Sequence, residues 1–316
     1  MRRATVLIAV LLMILSIKIS YAATCEELNA GMKDLCAQGK YSEAIMIGEE
    51  ALKIAEEKYG KESIETAVTL DNIAFLKNAQ GKFDEAKDTY RRSLSIYKKV
   101  YGPEHEKVAE SLNNLGKLFF QQGEFEDAAA YYEQALGIYH TTLPPGSPRI
   151  AEILSELGDL YYTQGNFEQT EKYYSEALGI FQKFYGKYSP EVALILDRLY
   201  EIYFVKKKYA EAEKMFREAI QISEQSYTDE HPYVYKPVAR LAELCDIQGK
   251  YNEAIDYYKK AIDIHTKMIG SDSPRVANLK IKLAKVYEKI GRKDKAGDLL
   301  EEADKVLKNT KPGVRG

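Results

Sequence analysis

One turn position recurs along the chain every 42 residues, as Gly39, Gly81, Gly123, Gly165, Lys207, Gly249 and Gly291. A whole pattern travels with it. Residues 109–150 carry Leu112, Leu115, Gly116, Phe119, Gly123, Phe125, Ala128, Tyr132 and Ala135. The next copy carries Leu154, Leu157, Gly158, Tyr161, Gly165, Phe167, Tyr174 and Ala177, and the previous one Leu70, Ile73, Ala74, Gly81, Phe83, Ala86 and Tyr90. Seven copies follow one another without insertion or deletion. A period of this length dictates one supersecondary unit stacked on itself.

Each copy reads as two helices. Leu112, Leu115 and Phe119 are spaced by three and four and share one face, as do Phe125, Ala128, Tyr132, Ala135 and Tyr139. Gly123 falls between the two runs, where a helix end needs a left-handed residue. Ala128 and Ala135 are small where two backbones must approach. One hairpin cannot bury its apolar face alone, so the copies must stack. The expected fold is therefore all-α, an alpha-alpha superhelix (solenoid) of about seven helical hairpins.

These residues resemble the tetratricopeptide repeat (TPR) family, in the long 42-residue form of kinesin light chain and bacterial relatives, here as an exported bacterial-style member. The resemblance covers about residues 25–308. The chain departs from the pattern at several places. It has no Trp, and Thr170 replaces a small alanine. Lys207 replaces the turn glycine, and Gly48 and Lys77 stand where aromatic residues are usual.

The ends lie outside this pattern. Arg2 and Arg3 precede an apolar run from Val6 to Ile17, and Ser20-Tyr21-Ala22 offers small residues around a cleavage site. Residues 1–22 read as a secretory signal peptide, residues 23–308 as the solenoid and 309–316 as a disordered tail. The run is shorter than the roughly 20 residues of a membrane span. The expected location is periplasmic or secreted, with no membrane insertion after cleavage; an uncleaved signal anchor is the alternative. Without Arg2, Arg3 and Lys18, 42 basic side chains face 48 acidic ones, a net charge of −6. That argues against a nucleic-acid partner, which selects a basic face.

Three cysteines remain. Cys25 and Cys36 on one helix would lie about 16 Å apart, beyond the roughly 7 Å that a disulfide spans. Cys245 holds the register of Phe119 and Tyr161 and is expected in the core. Ser147-Pro148, Ser189-Pro190, His231-Pro232 and Ser273-Pro274 mark the starts of first helices, serine as cap and proline as first residue. Pro237 should kink the first helix of copy six or delay its start.

No catalytic or metal-ligand spacing is found among His105, His140, His231 and His265, and the paired carboxylates fall on solvated faces. The chain is expected to be no enzyme and to take no cofactor or metal. Binding is the better class. The resemblance implies that the first helices line a concave groove and that their variable positions contact a protein or peptide partner. By register these positions are Asn113, Lys117, Phe120 and Gln121 in copy three, Ser155, Asp159, Tyr162 and Thr163 in copy four, and Asp197, Glu201, Phe204 and Val205 in copy five. The Asn-Asn pair of the kinesin light chain relatives survives as Asn113-Asn114, and half of it as Asn72. The chaperone-binding relatives' cationic clamp is not matched.

Phe120, Tyr162 and Phe204 share a register that other copies fill with Cys36, Asn78, Asp246 and Glu288. They read either as an apolar stripe on the groove floor or as padding between neighbouring first helices. Asp159, Asp197 and Glu201 beside them favour a partner with basic groups. The expected function is a scaffold binding a partner outside the cytoplasm. The alternative is a self-associating structural component of a cell-envelope complex, and the sequence leaves the oligomeric state open.

Overall fold

A computed structural model describes residues 25–226 and 232–310, and among them the secondary structure is entirely helical. The expected signal peptide and the residues beyond Thr310 lie outside the described residues. The chain divides into two compact units, one up to Pro145 and one from Gly146. The first holds three hairpins: α1 (Cys25–Ala37) with α2 (Tyr41–Tyr59), α3 (Ile64–Ala79) with α4 (Phe83–Tyr101), and α5 (Glu106–Gln121) with α6 (Phe125–Thr142). The second holds four: α7 (Pro148–Thr163) with α8 (Phe167–Tyr185), α9 (Pro190–Val205) with α10 (Tyr209–Ser226), α11 (Pro232–Ile247) with α12 (Tyr251–Ile269), and α13 (Pro274–Lys289) with α14 (Lys293–Thr310). Within each unit the hairpins pack on one another in chain order, as in a solenoid. No described helix is long and apolar enough to cross a membrane.

The turns form as the spacing requires. After α5 the Gly123 amide donates to the Phe120 carbonyl and the Glu124 amide to the Phe119 carbonyl, both at 3.0 Å, which satisfies carbonyls left over at the helix end. Gly123 has φ 78°. Lys207 reproduces both bonds after α9, with φ 56°, and is the one non-glycine residue of positive φ among the described residues. At the helix starts the Ser63, Ser189 and Ser273 hydroxyls accept backbone amides at 3.2–3.3 Å, and His105 Nδ1 accepts from the Lys107 amide. Ser147 makes no such bond, although Pro148 still opens α7. Pro237 does not delay α11, which begins at Pro232 and runs through it.

The hairpin cores rest on one exchange of volume. In α5 and α6 Gly116 faces Tyr132, and a Cβ on the glycine would lie 2.6 Å from the ring. Gly158 meets Tyr174 in the same way. Copy one inverts the pair: Met32 occupies the glycine register, and a Cβ on Gly48 would lie 2.5 Å from its sulfur. The missing aromatic at Gly48 is thus replaced from the opposite helix. In copy five both partners are large, and the Tyr200 and Phe216 rings approach to 3.5 Å between centroids. Thr170, in place of alanine, is buried and donates its hydroxyl to the Asn166 carbonyl at 2.8 Å. Cys245 is buried, and burial pushes its thiol up to about 11, so it packs as an apolar residue and is a poor nucleophile.

Candidate partner-binding face

The first helices of the second unit, α7, α9, α11 and α13, are tied side by side by a repeated ion pair. Asp159 on α7 meets Arg198 on α9 at 3.4 Å, Glu201 on α9 meets Arg240 on α11 at 2.8 Å, and Glu243 on α11 meets Lys282 on α13. In each case the acid sits three residues further along its helix register than the base of the following copy. Burial raises the Glu201 carboxyl above its ordinary range, against the pull of Arg240. Asp159 also accepts the Tyr174 hydroxyl at 2.5 Å, and burial together with that bond raises the tyrosine pKa.

This ladder changes the meaning of two expected site residues. Asp159 and Glu201 already have cationic partners inside the array. Their charge is not available to select a basic partner, as the sequence suggests. Asp197 keeps no ion pair among the described residues.

In the first unit a neighbouring register is bridged by side-chain amides. Asn72 donates to the Asn29 carbonyl oxygen at 3.3 Å, and Asn29 donates to the Thr69 hydroxyl at 3.1 Å. Asn113 on α5 is half-buried, and its side-chain oxygen has no partner. Lys117 is exposed. On α3 the register of Lys117 is filled by Phe75, which is exposed, with Val68 two turns before it.

Phe120, Tyr162 and Phe204 are half-buried. Each ring meets the first residue of its own second helix: Phe120 with Phe125 at 5.8 Å, Tyr162 with Phe167 at 6.0 Å, Phe204 with Tyr209 at 5.9 Å. They cover the hairpin turn with one side and leave the other to solvent. Neither expected reading includes that contact across the turn, because α5 and α6 meet there through residues only five apart in sequence.

What lies beside these rings follows from two polar copies. Asn78 donates to Gln121 at 2.8 Å, and Lys289 donates to Asp246 at 2.6 Å. Both bonds join the aromatic register of one copy to the following register in the next. The equivalent pairs in the second unit are Tyr162 with Val205 and Phe204 with Ile247. Val205 is 49% exposed and Ile247 50%, while Leu194 lies on the Val205 face of α9, three turns earlier, and is also exposed. An apolar strip therefore runs along the ends of α7, α9 and α11. Ile247 is absent from the residues that sequence reasoning selects, although a shift of 42 from Val205 reaches it.

The Tetratricopeptide repeat pattern matches residues 33–99, 65–140, 149–225, 198–267 and 234–308, and a second form of it matches residues 113–183. The chain is a tetratricopeptide repeat protein. As a member of this family it is a non-catalytic protein-interaction module.

Among solved structures, BtubC (BKLC) from P. vanneervenii is 22% identical over 75% of this chain and 93% of its own, with a TM-score of 0.60. A putative kinesin light chain repeat protein from Podosopora anserina is 22% identical over 66% of this chain and 100% of its own, with a TM-score of 0.58. A signal transduction ATPase with a tetratricopeptide repeat sensor, from Pyrococcus horikoshii, is 17% identical over 90% of this chain and 43% of its own, with a TM-score of 0.73. At these identities the likeness is one of fold. No curated protein sequence matches the chain.

Proposed function

We propose that this tetratricopeptide repeat protein is an exported scaffold that holds a peptide or protein partner in the groove lined by its first helices. The repeat is of the long kinesin-light-chain kind, as the 42-residue spacing and the Asn113-Asn114 pair suggest. Export rests on the charged, apolar and small-residue segments of residues 1–22.

One observation carries the choice of face: Val205 and Ile247 are half exposed beside Tyr162 and Phe204, next to a ladder whose charges neutralise one another. Contiguous exposed apolar surface marks interaction sites, and aromatic anchors dominate their energetics. The partner is selected by apolar side chains, with a secondary preference for one basic group near Asp197. Phe120 and Asn113 hold the equivalent register positions in copy three.

The test uses Val205 and Ile247, because the aromatic rings also hold their turns. Peptides selected from a random display library on the purified protein should be enriched in apolar and aromatic residues. The double variant Val205→Ser, Ile247→Ser should bind them at least tenfold more weakly with an unchanged melting temperature. Selected peptides that bind the double variant as well as the parent would overturn the assignment.

A further inference from the structure

The seventh hairpin breaks the core register in one place, on the second-helix side, away from the face just described. Six copies bury an apolar residue at one position of the first helix: Leu28, Leu70, Leu112, Leu154, Leu196 and Val238, at most 8% exposed. The seventh has Lys280 there, with a side chain 17% exposed. An amine on a flexible stem cannot fill the space of a leucine between two helices, and its charge must find a partner. Lys280 turns to Glu302 on α14, at 2.6 Å. An open cleft of about 530 Å³ lies between α12, α13 and α14.

The cleft has an apolar floor of Ile262, Leu283, Tyr287 and Leu299. Its rim is cationic in an informative way. In the preceding copy Arg217 and Glu253 face each other as an ion pair at 2.8 Å. The same two register positions here hold Lys259 and Lys295, both lining the cleft. Two ammonium groups stand where the preceding copy places opposite charges. Lys295 lies over the Tyr287 ring at 5.6 Å, and Lys259 has no ion pair among the described residues. Of the two acids on the rim, Asp263 is engaged by Lys267 at 2.8 Å, which leaves Asp298 against the pair of lysines.

We propose that this cleft binds an organic carboxylate carried on an apolar stem. The two carboxylate oxygens supply the negative charge that is missing between Lys259 and Lys295, and the stem lies on the Ile262, Leu283, Tyr287 and Leu299 floor. A cleft of several hundred Å³ with an apolar lining and a few convergent polar groups is the usual form of a small-ligand site. The carboxylate comes either from a free acid or from a chain terminus, and both present the same chemistry.

Calorimetric titration of the full protein with octanoate, and separately with the acetylated tripeptide Ala-Leu-Leu bearing a free carboxylate, tests the site. Saturable binding of octanoate alone assigns a free acid, and binding of the peptide assigns a chain terminus. Octanamide and the peptide amide should bind at least tenfold more weakly than the corresponding acids. Lys259→Glu rebuilds the ion pair of the preceding copy at an exposed position. It should abolish binding with an equal or higher melting temperature, and Lys280→Leu, which frees Glu302 to engage the rim lysines, should weaken it. No saturable binding by either acid, equal binding of acids and amides, or full binding by both variants would overturn the proposal.

Discussion

Lys207 is where a single residue carries a measurable cost. The turn after α9 imposes φ 56° on a residue with a Cβ, a conformation that costs roughly 1 kcal/mol for a side chain other than glycine. The hydrogen bonds from the Lys207 and Lys208 amides show that the turn has kept the geometry of the glycine copies. Lys207→Gly should therefore raise stability by about 0.5–1 kcal/mol, read as a rise of a few degrees in melting temperature. An unchanged or lower value would mean that the lysine stem contributes packing of its own. This position is legible in the sequence because backbone geometry repeats with the period. The Met32 and Gly48 exchange is not, since each departure alone looks like a defect, and only the contact between the two helices shows that one volume replaces the other.

Between elements, Asp71 is the most consequential polar contact. It sits on α3 and accepts hydrogen bonds from Ser93 and Tyr97 of α4, the latter at 3.0 Å. The residue is half-buried, but its carboxyl group is enclosed. Burial raises its pKa to about 6, the two hydrogen bonds oppose the shift, Glu110 adds to it and Lys107 opposes it. The folded protein thus binds this proton more tightly than the unfolded chain does. The stability gained is present in full below the unfolded value near 4 and declines as pH rises through about 6. Asp71→Asn removes the titration and one acceptor. The melting temperature of the variant relative to the parent should climb between pH 4 and pH 7, by the equivalent of about 1–3 kcal/mol. A constant difference across that range would show that the carboxyl group is solvated. The helices themselves, their glycine turns and most of their Ser-Pro starts follow from local chemistry and are readable in sequence. The ion-pair ladder of α7, α9, α11 and α13 is not. It depends on which positions of neighbouring copies meet, and its individual members look like free surface charges until Arg198 and Arg240 are seen against Asp159 and Glu201.

For the whole molecule, stacking in chain order makes stability a sum of hairpin terms and nearest-neighbour terms. The division of the chain at Gly146 gives that sum a testable cut. The C-terminal unit has a continuous core running from Tyr200 on α9 through Phe216, Leu241, Cys245 and Tyr258 to Ala296 on α14. It also contains Tyr162, Phe204, Val205 and Ile247, the strip proposed to bind the partner, and the whole of the cleft around Lys280. Exposed ion pairs such as those of the ladder contribute about 0–1 kcal/mol each, so the core and not the ladder must hold the unit together. Residues 146–316 expressed alone should therefore give the helical circular dichroism of a folded array and a cooperative thermal transition. Raising the salt concentration to 1 M should lower that transition only slightly, because screening removes the ladder and leaves the apolar core. Peptides selected on the full protein should bind the fragment within about threefold, or roughly 0.7 kcal/mol, since Asn113, Lys117 and Phe120 are its only losses from the expected site. A fragment that folds but binds more than tenfold weaker would place the decisive contacts on the first unit, at Phe120, Asn113 and Lys117. A fragment without a cooperative transition would show that the four C-terminal hairpins do not carry an independent core.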